Sequence, residues 1–178
     1  MTRAMIWPAA ALLALLMIGG CGLADAAPQL PAPFTPVPTT GVDMTTTATV
    51  TRVVDGDTVK LDDGRTVRVL GIDTPETVHP SKPVECWGPE ATAFAEALLL
   101  GKQVRVATDS SQDTTDRYDR TLAELLLPDG TNYSVAAAGA GTARAYIYDT
   151  PPRVYPEVKA AELVAQARGH GMWGSCPR

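Results

Sequence analysis

The sequence predicts an α+β fold, a small β-barrel of five short strands with helices between and after the strands. Five segments have either the alternating apolar and polar residues or the high valine and threonine content of half-buried strands. These segments are residues 45–54, 58–61, 66–72, 103–108 and 121–127. Three further segments are predicted to be helices, because they begin with residues typical of helix N-termini, have apolar residues at helical spacing, or are rich in alanine. This number of short strands, without an internal repeat, favours a small barrel.

The second and third predicted strands form a hairpin. Apolar and polar residues alternate on both sides of Asp63-Gly64, a dipeptide typical of tight hairpin turns. Asp62 and Asp63 are therefore assigned to the solvated tip, without a functional role. Each strand of the hairpin presents one apolar face to the interior.

Three helices are predicted. The first begins at residues 88–90, Gly-Pro-Glu, because proline suits the first helical turn and an acid suits the positive end of the helix dipole; it ends at Gly101. Its predicted buried side comprises Phe94, Ala97, Leu98 and Leu100. The second covers residues 134–140, and residues 142–148 are predicted to be extended. The third covers residues 156–168. Its predicted buried stripe comprises Ala160, Leu163, Val164 and Ala167.

Residues 1–21 have the features of a signal peptide. Arg3 supplies a positive charge, and the apolar run at residues 9–18 is shorter than a transmembrane helix requires. The run ends at Ile18-Gly19-Gly20-Cys21, which resembles a bacterial lipobox and implies cleavage before Cys21 with lipid attached to its thiol. An ordinary secretory signal peptide, with Cys21 incidental, is the alternative. Both predict an exported protein, and the first also predicts a membrane lipoprotein.

The remainder divides into a linker and a domain. Residues 22–44 are rich in proline and poor in large apolar groups, so they are predicted to be an extended linker. Residues 45–178 form the predicted folded domain. In an oxidising compartment, Cys86 and Cys176 predict a disulfide. It would close a loop of about 90 residues and stabilise the fold by roughly 4–5 kcal/mol. Two free thiols are the alternative.

The charge of the chain does not indicate a nucleic-acid-binding protein. The formal net charge is −5, and without Arg3 the remaining 14 basic and 20 acidic residues put the mature chain near −6. A strongly basic chain would have pointed to nucleic acid by charge alone. Phosphate groups would therefore have to be bound through a local basic patch or a metal ion.

Residues 54–77 combine Arg68 with four acids that could meet a cation or a base. These acids are Asp55, Asp57, Asp73 and Glu76. Hard cations take several carboxylate and carbonyl oxygens, and phosphate takes a planar guanidinium. The combination suggests metal-assisted phosphate chemistry, although each motif by itself is typical of an ordinary turn.

This chemistry requires Arg68 and the acids to lie on one side of the sheet. Strict alternation places Arg68 and Asp73 on opposite faces, and we expect a bulge or bend at Gly71 to restore a common side. A second basic group is expected from Arg120, at the end of a polar loop. The alternative is a surface arginine paired with a nearby acid, Asp116 or Asp119.

Four motifs with these residues follow one another along the chain. They are Asp55-Gly56-Asp57-Thr58, Arg68 followed by Ile72-Asp73-Thr74-Pro75-Glu76-Thr77, Gly88-Pro89-Glu90-Ala91, and Thr115-Asp116-Arg117-Tyr118-Asp119-Arg120. Tyr146-Ile147-Tyr148 and Trp173 come after them. In order and in spacing the set resembles the staphylococcal (thermo)nuclease family over about residues 45–174.

The resemblance implies a fold, an activity and a cofactor. The fold is a five-stranded OB-fold barrel with three α-helices. The activity is Ca²⁺-dependent hydrolysis of DNA and RNA, which releases 3′-phosphorylated products. The implied calcium ligands are Asp57, Asp73 and the backbone carbonyl of Thr74, with Asp55 nearby.

The resemblance also implies roles for residues that would touch the substrate. Arg68 and Arg120 match the two phosphate-binding arginines of the family, and Glu76 matches its proposed general base. Tyr118 and Tyr146 match tyrosines that line the nucleotide site.

Three features depart from the family pattern. Asp119 stands where the family usually has glycine, and an acid there could pair with Arg120. The acidic net charge contrasts with the basic type member, so we expect weaker substrate affinity and a greater dependence on Ca²⁺. Cys86 and Cys176 do not occur in the type member.

A non-catalytic OB-fold module that binds nucleic acid is the alternative function, because the fold serves both purposes. The metal acids, both arginines and Glu76 favour an enzyme, since a binding module has no need of Glu76. A structural envelope lipoprotein is a third interpretation, and it predicts neither cleavage nor binding. No protein partner is predicted, and the chain is expected to be a monomer.

Overall fold

The structure is a computed structural model that describes residues 44–78 and 83–177. The predicted signal peptide, the predicted lipidation at Cys21 and the predicted linker up to residue 43 lie outside these residues. Within the described part of the chain, no helix has the length and apolar character needed to cross a membrane.

Five strands close into a barrel. The strands in the described part of the chain are β1 (Met44–Val53), β2 (Thr58–Leu61), β3 (Thr66–Val69), β4 (Ile72–Asp73), β5 (Gln103–Thr108), β6 (Thr121–Leu126) and β7 (Arg144–Ala145). The barrel order is β1-β2-β3-β6-β5, and only β3 and β6 pair in parallel. β4 and β7 form a separate two-stranded sheet. The predicted five-stranded barrel is confirmed.

The barrel interior is filled by branched aliphatic side chains, as the alternating pattern predicts. Val59 on β2 pairs with Val67 on β3, and both are fully buried. Burying each such side chain stabilises the fold by about 1.5–3 kcal/mol. Asp62 and Asp63 lie exposed at the hairpin tip, where Asp63 forms an ion pair with Arg65 at 2.6 Å.

Gly71 divides the third predicted strand, residues 66–72, into β3 and β4. Its φ of +82° is one that residues with a side chain rarely adopt, and a Cβ there would lie 3.1 Å from Val154 Cγ1. The bend directs Ile72 toward a different partner, Ala145 on β7. The predicted extended segment at residues 142–148 is accordingly limited to the two residues of β7.

Within residues 44–78 and 83–177, four helices surround the barrel: α1 (Gly88–Leu99), α2 (Tyr133–Ala140), α3 (Tyr155–Arg168) and the single turn α4 (Met172–Ser175). The first three confirm the prediction, and α4 was not predicted. The predicted buried side of α1 is wrong at Ala97 and Leu100, which are exposed. Ala91, Ala95 and Leu99 are fully buried instead, because small residues let the helix approach the core closely.

The predicted buried stripe of α3 is wrong at every position. Ala160, Leu163, Val164 and Ala167 are all exposed. The opposite face is buried, and it comprises Val158, Ala161, Glu162 and Ala165. Apolar periodicity counts a glutamate as a solvent-facing residue, but Glu162 has partners inside: it pairs with Lys159 and accepts a hydrogen bond from the Ala145 N–H at 3.2 Å.

A second glutamate, Glu124 on β6, is buried at a cost that depends on pH. It is 8% exposed, and its Oε2 accepts a hydrogen bond of 2.6 Å from Asn132 Nδ2. Burial, together with the charges of Asp109 and Glu157, raises the pKa of Glu124 to about 7 from 4.5, while Asn132 and Arg153 act in the opposite direction. The folded state therefore binds this proton more tightly than the unfolded state. Stability from this site is complete below pH 4.5 and is lost as the pH rises toward 7.

Glu124→Gln should stabilise the protein only where Glu124 is ionised. The amide oxygen can still accept from Asn132, and the charge is gone. We expect the free energy of unfolding to rise by about 3 kcal/mol at pH 8 and to change little at pH 4. Urea unfolding of the wild type and the variant at both pH values measures this. An equal gain at pH 4 and pH 8 would contradict the assignment.

Candidate active site

One cavity of about 530 Å³ opens beside the end of the barrel where β2 begins. It brings together residues from the β1–β2 turn, β3, β4 and the loop before β6. Its lining comprises Asp55, Asp57, Arg68, Asp73, Thr74, Glu76, Tyr118 and Arg120. Every residue predicted to be catalytic, to bind the metal or to bind the substrate lies in this lining except Tyr146, and the predicted disulfide cysteines, Cys86 and Cys176, lie outside it.

Arg68 lies between two of the acids. Its guanidinium is 3.0 Å from Asp57 Oδ1 and 2.9 Å from Asp73 Oδ1. It also donates to the Ile72 carbonyl at 2.9 Å. The bend at Gly71 turns β4 back toward Arg68, so the expected common side for Arg68 and Asp73 is confirmed.

Asp57 is the most enclosed acid of the cavity. It is 6% exposed, and its Oδ2 accepts hydrogen bonds of 2.9 Å from both the N–H and the hydroxyl of Thr74. Gly56 makes this contact feasible, because a Cβ at that position would lie 2.7 Å from Thr74 Cγ2. The buried Tyr133 hydroxyl on α2 donates to the Gly56 carbonyl at 2.6 Å and fixes the turn from behind.

The acids of the cavity repel one another. Burial and then the charge of Asp57 raise the pKa of Asp55 to about 7. Burial and then Asp57 also raise the pKa of Asp73, although Arg68 and Arg144 oppose the shift. One guanidinium thus leaves part of the negative charge of the cavity uncompensated.

The donor chemistry of the cavity fits a hard divalent cation. Asp55, Asp57, Asp73 and the Thr74 carbonyl offer only oxygen, which Ca²⁺ and Mg²⁺ prefer. In the described residues, no three His, Cys, Asp or Glu side chains are already gathered at metal-binding distance. The guanidinium of Arg68 occupies the space between Asp57 and Asp73 and compensates part of their negative charge.

Glu76 is half-buried at the same cavity, and its own loop fixes one of its carboxylate oxygens. Oε1 accepts hydrogen bonds from the N–H groups of Thr77 at 3.0 Å and Val78 at 2.9 Å. A second segment holds the backbone: Glu85 N–H donates to the Glu76 carbonyl at 2.9 Å, and Glu76 N–H donates to Glu85 Oε2 at 3.2 Å.

Arg120 is held by Asp116. Its Nη2 and Nε lie 2.6 and 2.7 Å from Asp116 Oδ2, and its Nη1 lies 3.4 Å from the Thr58 hydroxyl. Of the two acids considered from the sequence, Asp116 and not Asp119 is the partner. The pair does not withdraw Arg120 to the surface, because the side chain still lines the cavity.

Asp119 has a backbone conformation that is unusual for a residue with a side chain. Its φ of +61° is in the left-handed region, where glycine is favoured. Its N–H donates to the Asp116 carbonyl at 3.0 Å, which closes the turn before Arg120.

The two predicted tyrosines have different positions. Tyr118 lines the cavity and is 64% exposed, with the guanidinium carbons of Arg117 and Arg120 at 4.8 and 5.4 Å from its ring centre. Tyr146 follows β7, donates its N–H to the Gly71 carbonyl at 2.9 Å and is absent from the lining. Arg117 lies against the Tyr118 ring but is absent from the lining.

The closed five-stranded barrel with its surrounding helices is an OB-fold, and its cavity combines carboxylates with two arginines, a set suited to binding phosphate and a cation. The staphylococcal nuclease homologue family model matches residues 66–175. The thermonucleases of Staphylococcus intermedius and Staphylococcus hyicus are 38% and 36% identical to this chain, over 70% and 71% of it and 74% and 75% of their own lengths. Endonuclease YncB of Bacillus subtilis is 31% identical over 70% of this chain and 60% of its own length.

The chain therefore belongs to the staphylococcal nuclease homologue family. The predicted family and OB-fold are confirmed, and so is the prediction of a nuclease at the level of the family.

Asp119→Gly should remove the backbone strain of the turn before Arg120. We expect the free energy of unfolding to rise by about 0.5–1 kcal/mol, because the strain of a left-handed aspartate outweighs the added freedom of the unfolded chain. Chemical denaturation measures the change. Asp113→Gly, at an exposed position of the same loop without a positive φ, is the matched control and should be destabilising. A stability loss in both variants would contradict the argument.

Proposed function

We propose that the chain is a Ca²⁺-dependent endonuclease that hydrolyses DNA and RNA to 3′-phosphorylated products. One observation carries the proposal: Arg68, Arg120 and Glu76 line a single cavity together with oxygen donors suited to a hard cation. The family relationship supports the same activity, since relatives of this chain are thermonucleases and endonucleases.

The residues that would hold Ca²⁺ are Asp57, Asp73 and the Thr74 carbonyl, with Asp55 beside them. When bound, the ion supplies Lewis-acid polarisation of a phosphate oxygen and helps to position the attacking water. Burial, and then repulsion from Asp57, raise the pKa values of Asp55 and Asp73, and a cation bound here would relieve that repulsion.

The two arginines bind the scissile phosphate. A guanidinium fork matches two phosphate oxygens, and it stabilises the charge that develops on the equatorial oxygens during the reaction. The two guanidinium groups would contact the phosphate and not the sugar or the base. We therefore expect hydrolysis of both DNA and RNA. The mature net charge near −6 weakens long-range attraction of the substrate, so binding depends more strongly on the cation.

Glu76 orients and deprotonates the water. Its Oε1 is engaged by the N–H groups of Thr77 and Val78, and among the described residues no hydrogen bond is made to Oε2, the oxygen assigned to accept the proton. The 3′-phosphorylated product requires the bond from phosphorus to the 5′ oxygen to break.

We further propose that the protein is exported and tethered to the membrane by lipid on Cys21. The lipobox-like end of the predicted signal peptide supports this proposal. A disulfide between Cys86 and Cys176 also fits an oxidising compartment.

Cleavage of a fluorogenic DNA substrate should require Ca²⁺ and should stop when a chelator is added. Glu76→Gln should lower kcat by about 10²–10⁴-fold with little change in KM, because it removes a general base and keeps the size of the side chain. Glu90→Gln makes the same change at an exposed position of α1 and should leave kcat within about twofold.

Two results would contradict the proposed enzyme. Failure of the wild type to cleave with Ca²⁺, while it still binds the oligonucleotide, would favour the non-catalytic binding module. Undiminished cleavage by Glu76→Gln would remove the assigned base.

Arg120→Lys should lower kcat/KM by about 10²-fold or more, because lysine keeps the charge but loses the planar fork. Arg65→Lys is the matched control, since Arg65 pairs with Asp63 at the hairpin tip and not in the cavity. Steady-state kinetics on single-stranded DNA measures both variants. Equal effects of the two substitutions would show that the cavity arginine has no special role.

A further inference from the structure

The loop that carries Glu76 rests on residues 85–88, here called the supporting segment. Glu85 exchanges two hydrogen bonds with the Glu76 backbone, one through its N–H and one through its carboxylate. At Gly88 the contact is so close that a Cβ would lie 2.7 Å from Thr77 Cγ2 and 3.1 Å from the Glu76 carbonyl oxygen. The position of Glu76 therefore depends on the position of the supporting segment.

The supporting segment is itself tied to the far end of the chain. Cys86 forms a disulfide with Cys176, 90 residues away. Cys176 follows α4, where its N–H donates to the Met172 carbonyl at 3.0 Å. Met172 is 3% exposed, and its N–H donates to the Gly141 carbonyl at 3.0 Å. The disulfide thus connects the Glu76 loop to a firmly packed part of the helical layer.

We propose that the Cys86–Cys176 disulfide is a positioning device for Glu76, so that the enzyme reaches full activity only when the bond is oxidised. This inference rests on the proposed function, in which Glu76 is the general base. A displacement of about 1 Å at a catalytic group can cost roughly 10²-fold in rate. The disulfide restrains Cys86, which is next to Glu85 in the chain. Glu85 in turn makes the two hydrogen bonds that hold the backbone of Glu76 in position.

The rest of the site has supports that do not pass through the disulfide. Asp57, Arg68 and Asp73 are held by one another, by Thr74 and by the barrel strands. Loss of the disulfide should therefore change the chemical step and spare the binding of phosphate and cation. This split between kcat and KM distinguishes positioning from general stabilisation.

The bond is accessible to a reductant, because Cys86 is exposed. In thiol–disulfide exchange, a dithiol attacks one sulfur of the bond and then closes to its own cyclic disulfide. The dithiol gives up two electrons and two protons, and Cys86 and Cys176 receive them as thiols. A disulfide oxidant reverses the step.

The test uses the full chain with Cys21→Ser, which leaves Cys86 and Cys176 as its only cysteines. Kinetics are measured with Ca²⁺ before and after reduction by dithiothreitol, at a low temperature where circular dichroism shows that both forms are folded. We expect reduction to lower kcat about tenfold or more, with KM and the half-saturating Ca²⁺ concentration within about twofold. Reoxidation should restore kcat.

Cys86→Ser with Cys176→Ser, on the same background, is the control for the reductant. It should match the reduced protein and should not respond to dithiothreitol. A reduced, folded protein with kcat within twofold of the oxidised protein would overturn the proposal. So would a parallel loss of kcat and Ca²⁺ affinity, because that pattern indicates general loosening of the fold.

Hydrogen exchange separates this inference from the proposed function. On reduction, the amides of Thr77 and Val78 should exchange at least about tenfold faster, while those of the barrel residues Val59 and Val69 should keep their rates. This readout needs no activity. An oxidised protein without nuclease activity would refute the proposed function, and unchanged exchange at Thr77 and Val78 would refute the positioning role.

Discussion

A buried carboxylate that requires a positive partner sets the arrangement of the catalytic end of the barrel. A carboxyl group as enclosed as Asp57 is costly to bury unless it is paired and hydrogen-bonded. Arg68 supplies the charge at 3.0 Å, and Thr74 supplies two donors at 2.9 Å. Because these residues come from the turn before β2, from β3 and from the segment after β4, one carboxylate joins three successive pieces of the chain. The bend at Gly71 makes this convergence possible.

The parallel pairing of β3 with β6 explains how Arg120 reaches the same cavity. Val67 is aligned with Thr121, so the residue just before β6 lies beside the start of β3. Thr58 is the cross-strand partner of Arg68, and Arg120 Nη1 approaches its hydroxyl at 3.4 Å. The pairing of the strands thus brings two arginines that are far apart in sequence to the same cavity. Asp116 holds the second guanidinium in its orientation.

The site contains two kinds of support. Asp57, Arg68 and Asp73 are mounted on barrel strands or on the turns next to them, and they hold one another. Glu76 and Arg120 are mounted on loops, and each depends on an acid that is adjacent in space, Glu85 or Asp116. Loop positions have greater freedom than strand positions, so the loop-mounted groups need these additional restraints. The Cys86–Cys176 disulfide lies next to Glu85, the residue that holds the Glu76 backbone.

The sequence by itself determined the barrel strands, the first three helices and nearly all of the cavity lining. Alternation and turn residues fix strands locally, and the spacing of the acid and arginine motifs identified residues that do line one cavity. Tertiary structure decided the buried face of α3, since Glu162 is inside only because Lys159 and the Ala145 N–H meet it there. It also decided that Asp116 is the partner of Arg120. Periodicity treats every charged residue as solvent-facing, whereas a charge can be buried where an ion-pair partner and a hydrogen-bond donor reach it. The Ala145 donor lies on β7, which meets α3 only in the folded chain.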